Sequence, residues 1–150
     1  MKNKIYIINK TGAKQITDSC HDAYVAEIDG RSIQSEIDWL YTVAESFHFP
    51  VYDEIEHKMT FWYKGAYADR TSHKLNWEGF EDLLCDLSWI PHKRILFIIY
   101  NCSEMLTEDR EAKEYIINAL RERILPWWSS DVEKYVVNGE KREFSVYLAD

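Results

Sequence analysis

Four acidic side chains lie together in one short stretch of the sequence. Glu78, Asp82 and Asp86 are spaced four residues apart, and Glu81 lies beside them. Residues at this spacing share one face of a helix, so the stretch predicts a stripe of carboxylates. Like charges at this spacing repel by about 0.2–0.5 kcal/mol per pair, and the stretch contains no Lys or Arg. An external cation or a basic protein surface would therefore stabilise the stripe.

Two other interpretations of the stripe stay open at the level of sequence. It could be an ordinary solvated helix face, on which the helix dipole favours Glu78 in the first turn. It could also supply the general acid and base of a hydrolase, with Glu78 paired to Asp82 or Glu81. Such a pair needs a buried cleft, which one exposed helix does not provide. The sequence therefore favours binding over catalysis.

The residues around the stripe predict the helix that carries it. Asn76 is a preferred N-cap residue and Pro91 ends a helix. Apolar residues recur between them at helical spacing: Phe80, Leu83, Leu84 and Leu87. We therefore predict a helix from Trp77 to about Trp89.

Other patterns predict the strands of an α/β fold. Residues 5–8 and 24–28 are short apolar or alternating segments typical of strands. Residues 95–100 form a continuous apolar run, which predicts a central strand covered on both faces. The mixed polar and aromatic residues 53–74 could form a large loop or an extra hairpin.

Helices alternate with these strands. Ser35 is predicted to cap an amphipathic helix that runs toward Pro50, and another helix should begin at Thr107 and end at Pro126. Near the C-terminus, residues 135–148 predict a hairpin with a tight turn at Asn-Gly. This alternation predicts an α/β fold with a partly parallel sheet. No repeat or linker interrupts it, so we expect one domain over residues 1–150.

The composition favours a folded, acidic protein with a basic partner. Hydrophobic residues make up 46% of the 150 residues, and 18 basic against 26 acidic side chains give a net charge of −8. This charge repels phosphate backbones and attracts positively charged surfaces, so nucleic acid is not an expected partner. A net charge of this size also simply keeps many small domains soluble.

No residue pattern indicates a metal, a cofactor or a membrane segment. The cysteines Cys20, Cys85 and Cys102 include no CxxC pair, and the five histidines have no HExxH spacing. No nucleotide-binding or serine-nucleophile motif occurs. No apolar run approaches the roughly 20 residues of a membrane helix, and the first apolar stretch is too short for a signal peptide. We expect a cytoplasmic protein with reduced thiols and no metal or cofactor.

Three short motifs in order resemble the barstar family of bacterial ribonuclease inhibitors. The resemblance runs from about Val25 to the C-terminal strand. Its motifs are Ile28-Asp29-Gly30, Phe49-Pro50-Val51-Tyr52 and Asn76-Trp77-Glu78-Gly79-Phe80-Glu81-Asp82-Leu83-Leu84-Cys85-Asp86-Leu87. The resemblance implies a small, mostly parallel three-stranded sheet flanked by helices. An extra N-terminal strand, the insertion after Tyr52 and the C-terminal hairpin would be additions to it.

The resemblance also implies a binding site. Barstar-like proteins insert acidic side chains into the active site of a barnase-type ribonuclease, and the chief contacts of the family fall here on Glu78 and Asp82. Tyr52 matches a further contact, and Glu122 is a candidate for an acidic contact on the helix before the last strand. The implied partner-binding set is Tyr52, Asn76, Trp77, Glu78, Glu81, Asp82 and Asp86, with no catalytic residue.

Two departures bear on the partner. The family usually has Asp where this chain has Glu78, and an aromatic residue where it has Glu81.

The implied function is an antitoxin or immunity protein, not an enzyme, that is monomeric when free and blocks a basic toxin enzyme such as a ribonuclease. The alternative is a protein-interaction module of the same fold without inhibitory activity.

Overall fold

The computed structural model describes residues 3–53, 56–61 and 75–150, with the backbone alone at residues 52 and 53. Within these ranges the strands are β1 (Ile5–Ile8), β2 (Ala23–Asp29), β3 (Pro50–Asp53), β4 (Lys58–Phe61), β5 (Arg94–Tyr100) and β6 (Glu143–Ala149). The α-helices are α1 (Lys10–Ser19), α2 (Glu36–Ser46), α3 (Trp77–Leu84), α4 (Arg110–Ala119) and α5 (Val132–Tyr135). Two π-helical segments, Leu120–Ile124 and Trp127–Asp131, lie between α4 and α5.

The main sheet is parallel throughout. Its strands lie in the order β1-β6-β5-β2. The predicted extra N-terminal strand is β1, which pairs with β6 so that Ile5 lies opposite Val146. The sheet therefore consists of three strands and this predicted extra one. The predicted class, a mixed α/β fold with a parallel sheet flanked by helices, is confirmed.

Helices cover both faces of the sheet. On one face Phe97 belongs to the main core, together with buried residues of α2, α3 and α4. On the other face Ile98 packs with Ala13 of α1 and with Ala149. All four side chains are fully buried. The apolar residues of β5 form an unbroken run because helices cover both faces of the sheet. Helix α1, formed by the polar stretch before β2, covers the second face.

Side-chain caps fix the starts of α2, α3 and α4. Ser35, Asn76 and Asp109 each accept a hydrogen bond from the backbone N–H three residues ahead, at 3.2, 2.8 and 3.1 Å. These bonds pair N–H groups that would otherwise lack a partner at a helix start. The predicted starts of α2 and α3 are confirmed, whereas α4 begins at Arg110, after the predicted Thr107.

Two predicted helix ends are wrong. Helix α3 ends at Leu84 rather than near Trp89, and the chain then turns through Leu87, whose φ of 47° is left-handed. Pro126 does not end the helical backbone, which continues from α4 through both π segments into α5. Proline lacks the N–H that an interior helical residue donates, and π segments on either side of it accommodate the lost bond.

The predicted C-terminal hairpin is also wrong. Its first strand is absent because residues 132–135 form α5 and the exposed Val136 and Val137 follow in a turn. Asn138 does adopt a left-handed φ of 59°. However, β6 pairs in parallel with β1 on one edge and β5 on the other. With both edges occupied, β6 cannot pair with the segment before it.

The insertion begins with a hairpin. Strand β3 pairs antiparallel with β4, and the backbone of Tyr52 lies opposite Met59. An extra hairpin was one of the two predicted alternatives for residues 53–74, and it starts earlier, at Pro50. Residues 62–74 lie outside the described residues. In the part of the chain that is described, no helix is long and apolar enough to cross a bilayer.

Candidate functional site

The backbone of helix α3, which carries the acidic side chains, is held in place by an N-cap and by buried apolar residues. The Asn76 side chain accepts a 2.8 Å hydrogen bond from the Gly79 N–H and so fixes the first turn. Phe80 and Leu84 are buried on the inner side of the helix. Glu78 and Asp82 lie on the outer side, where both are exposed. The predicted separation of an apolar and an acidic face is confirmed for this helix.

Aromatic side chains anchor both ends of α3. At the first turn, the Trp77 ring packs edge-on against Tyr115 of α4, with ring centroids 4.8 Å apart. At the last turn, the indole Nε1 of Trp128 donates a 3.0 Å hydrogen bond to the carbonyl oxygen of Leu84. Trp77 thus supports the first turn of α3. Tyr115 is half-exposed and adds an aromatic ring to the surface next to this turn.

Arg123 supplies a cation to the acidic stripe from the neighbouring π segment. Its Nε lies 2.8 Å from Oε2 of Glu81, and its Nη2 lies 3.6 Å from Oδ1 of Asp82. The Glu81 side chain is only 12% exposed, whereas that of Asp82 is 66% exposed. The prediction that the stripe depends on an external cation is therefore wrong for Glu81. Tertiary packing supplies the counter-charge that the local sequence lacks.

A groove opens beside this ion pair. It has a volume of about 480 Å³ and lies between α3 and the two π segments. Six residues line it: Asp82, Cys85, Glu122, Arg123, Trp127 and Asp131. Burial raises the pKa of the Cys85 thiol to about 12, so this side chain is a neutral part of the wall. The groove is acidic with one internal cation, which suits a basic ligand.

The structure brings together some predicted site residues and separates others. Glu78, Glu81 and Asp82 share α3, and Glu122 lines the same groove as Asp82. Asp86 is not part of the helical stripe, because α3 ends before it and its carboxylate accepts a 3.4 Å bond from the Ser88 hydroxyl. The side chain of Tyr52 lies outside the described structure.

Two residues of this surface were missed in the sequence: Tyr115 and Arg123. They lie on α4 and the first π segment, far from α3 along the chain. Helical periodicity identifies neighbours on one helix and says nothing about contacts between two helices. The arginine that directly follows the candidate Glu122 was the available signal.

The described residues do not form a metal site. Within residues 3–53, 56–61 and 75–150, no group of three or more His, Cys, Asp or Glu side chains is arranged to hold an ion. Cys20, Cys85 and Cys102 are free thiols, and Cys102 is buried. The chemistry of this surface is therefore that of carboxylates, one guanidinium and aromatic rings.

The structure thus presents an exposed acidic helix that packs on a parallel α/β sheet. A family model described as Barstar (barnase inhibitor) matches residues 68–149, more than half of the chain. The chain belongs to the Barstar family. No curated protein and no solved structure gives a significant match.

The family match defines how far the resemblance is supported. It includes α3, β5, α4, the π segments and β6, while the motifs ending at Gly30 and Tyr52 precede it. Members of this family are inhibitors rather than enzymes, and the description names barnase as the enzyme inhibited. At the level of the family, the role is that of a ribonuclease inhibitor.

Proposed function

We propose that this protein is an antitoxin or immunity protein that blocks a ribonuclease by placing the acidic face of α3 in the enzyme's basic active site. One observation carries the proposal. Glu78 and Asp82 are exposed on a short helix whose backbone is anchored at both ends. A helix backbone held in this way does not have to be ordered on binding, which lowers the entropic cost of association.

The site residues take different roles in this proposal. Glu78 and Asp82 contact the basic groups that would otherwise hold RNA phosphate. Asn76 and Trp77 act as positioning residues, because they fix the first turn of α3. Glu81 is mostly buried, so it contributes through Arg123 rather than by direct contact.

Two further residues lie at the edge of the proposed interface. Asp86 follows α3 in an exposed turn and adds negative charge near the end of the helix. Tyr52 is included because it matches a contact residue of the family. The carboxylate of Glu122, which lines the same groove as Asp82, extends the acidic surface beyond α3.

The charge of the whole protein supports fast association. A net charge of −8 steers the protein toward a basic enzyme, and such steering raises association rates toward about 10⁸–10⁹ M⁻¹s⁻¹ at low salt. The rate should fall as salt screens the long-range attraction. Rapid capture suits a protein that protects its own cell from a toxin, acting in the cytoplasm as a single-domain monomer.

The test is affinity capture from the cells that make the protein, with retained proteins identified by mass spectrometry and assayed for RNA cleavage. Wild type is compared with Glu78→Gln/Asp82→Asn. The control, Asp18→Asn/Glu114→Gln, removes the same charge from α1 and from the exposed side of α4.

We expect a basic ribonuclease that is held and inactivated by wild type and by the control, and lost by the α3 variant. A partner that stays active when bound would instead identify an interaction module. A partner that remains bound to the α3 variant would remove Glu78 and Asp82 from the site.

A further inference from the structure

We propose that Arg123 competes with the basic side chain of a partner for contact with Asp82, and that it thereby determines which partners bind. This inference rests on the proposed function, because it concerns the same acidic surface. It assigns a specificity-determining role to a residue that acts against binding. The probe that it needs is a cation, so it can be tested without the natural partner.

The two contacts of Arg123 differ in a way that supports this role. Its bond to Glu81 is short, at 2.8 Å, and reaches a carboxylate that is nearly buried. Its contact with Asp82 is longer, at 3.6 Å, and reaches a carboxylate that is two-thirds exposed. The first contact holds the guanidinium in place, and the second is the one that a competing cation can replace. Arg123 itself is 54% exposed, so an incoming ligand meets it directly.

The position of Arg123 follows from the local backbone. It lies in the π segment Leu120–Ile124, next to the groove beside Asp82. The other arginine of this segment, Arg121, lies with Glu114 on a different groove and donates a 3.3 Å hydrogen bond to Asn118. Only one of the two arginines therefore reaches the acidic face. Arg121 and Glu114 together provide a matched control pair on the same stretch of helix.

This arrangement changes what the acidic face offers to a partner. Glu81 and Arg123 form a neutral pair, so the face presents the charge of Glu78 and Asp82 without that of Glu81. A partner cation gains contact with Asp82 only by sharing or displacing the Nη2 group of Arg123. A partner that is attracted only by the overall negative charge is thus bound less tightly. A partner that places a cation directly against the Asp82 carboxylate is bound more tightly.

The experiment compares hexaarginine binding by wild type and Glu81→Gln/Arg123→Gln. The double variant keeps the net charge and avoids stranding Glu81 without its partner, a loss that could unfold the Arg123→Gln single variant. Glu114→Gln/Arg121→Gln is the control with the same charge changes. Binding is measured by titration calorimetry at low and at moderate salt, and circular dichroism verifies that each variant is folded.

We expect Glu81→Gln/Arg123→Gln to bind hexaarginine roughly threefold to tenfold more tightly than wild type at low salt, and the control to bind as wild type does. Asp82 then no longer shares its charge with a guanidinium about 4 Å away, and the interaction of two unit charges at that distance in water is of this order. The gain should shrink as salt is added. Equal or weaker binding by Glu81→Gln/Arg123→Gln would overturn the proposal, since Arg123 would then be neutral or would help to position Asp82.

The outcome is independent of the proposed function. A failure to find an inhibited ribonuclease would leave the ratio of the hexaarginine affinities unchanged. The converse result is that wild type and Glu81→Gln/Arg123→Gln inhibit a ribonuclease equally well and bind hexaarginine with the same affinity. That result would support the proposed function and reject the role of Arg123.

Discussion

The indole Nε1 of Trp128 and the carbonyl oxygen of Leu84 are joined by a 3.0 Å hydrogen bond inside the protein. This bond connects the second π segment to the last turn of α3 and pairs a carbonyl that the helix leaves free. We expect Trp128→Phe to lower the free energy of unfolding by about 1–3 kcal/mol, because the buried carbonyl loses its donor.

Urea denaturation checks this value, with Trp127→Phe as the matched control. The same atoms are removed there, but the Trp127 Nε1 has no hydrogen-bond partner among the described residues. Equal losses in both variants would mean that packing rather than the hydrogen bond dominates.

Asp82 is the residue on which partner binding should depend most. Asp82→Ala should weaken binding of the captured ribonuclease by at least about 2 kcal/mol, the usual cost of truncating one member of a desolvated charge pair. Surface plasmon resonance measures the change, which should lie mainly in the dissociation rate. Asp18→Ala on α1 removes the same charge away from the site and should alter only the association rate. A loss below about 0.5 kcal/mol would exclude Asp82 from the interface.

Asp29 should make the stability of the protein depend on pH. The pKa of its carboxyl is held well below the ordinary range, because the Arg31 side chain and the Asn101 amide donate hydrogen bonds to it. A lowered native pKa stabilises the fold above the unfolded value of about 4, and this stabilisation disappears as the pH falls.

Asp29→Asn should therefore cost about 0.5–1 kcal/mol at pH 7, a modest value because solvent screens a side chain that is 42% exposed. The difference from wild type should become smaller as the pH falls from about 4 toward 2. Urea midpoints at the two pH values test this, and Arg31→Gln should show the same trend. A difference that is unchanged at pH 2 would mean that the ion pair is not its cause.

Gly30 is required by a close approach of two loops. A Cβ atom there would lie 2.5 Å from the backbone oxygen of Asn101 and 3.0 Å from Cβ of Met105. Gly30→Ala should destabilise the protein by about 1–3 kcal/mol, since backbone must move to admit the methyl group. Thermal unfolding measures this loss.

Gly79→Ala is the contrasting variant on α3. Its nearest neighbour would be the Asn76 side-chain oxygen at 3.4 Å, an ordinary contact. Alanine is the better helix former by about 1 kcal/mol, so this variant should be as stable as wild type or more so. Similar destabilisation by both substitutions would argue against the loop contact as the reason for Gly30.

Cys85 should be protected from alkylation in the folded protein. Burial raises the pKa of its thiol to about 12, so very little of the reactive thiolate exists at pH 8. We expect iodoacetamide to label Cys85 roughly a thousandfold more slowly in buffer than in concentrated urea, where the thiol returns to its ordinary pKa of about 8.5. Peptide mass spectrometry follows the labelling. Equal rates in the two conditions would show that the last turn of α3 opens readily.

The elements that could be predicted from the sequence are those set by local patterns. The N-caps Ser35 and Asn76, the buried strand over residues 95–100 and the two-sided character of α3 depend on residues close together in the chain. The helical continuation past Pro126 depends instead on π turns, which leave no simple periodicity. The expected hairpin failed for a related reason, because the Asn-Gly signal is local whereas the partners of β6 are decided by the whole sheet.

The candidate site divides in the same way. Glu78 and Asp82 were identified because their spacing places them on one side of one helix. The counter-charge to Glu81 was not, because Arg123 comes from a segment some forty residues away along the chain and about 3 Å away in space. Local charge patterning therefore overestimated how much unpaired negative charge the helix carries.

The position of β6 between β1 and β5 has a consequence for the time course of folding. Strand β1 lies at the edge of the main sheet and pairs with β6, so that Ile5 lies opposite Val146. Contacts between such distant parts of a chain form slowly. Arg142, immediately before β6, donates a 2.9 Å hydrogen bond to the Leu87 carbonyl just beyond α3 and lies over the ring of Trp128. The turn that follows the acidic helix is thus held by a residue 55 positions away along the chain, so its folding should be coupled to the docking of β6.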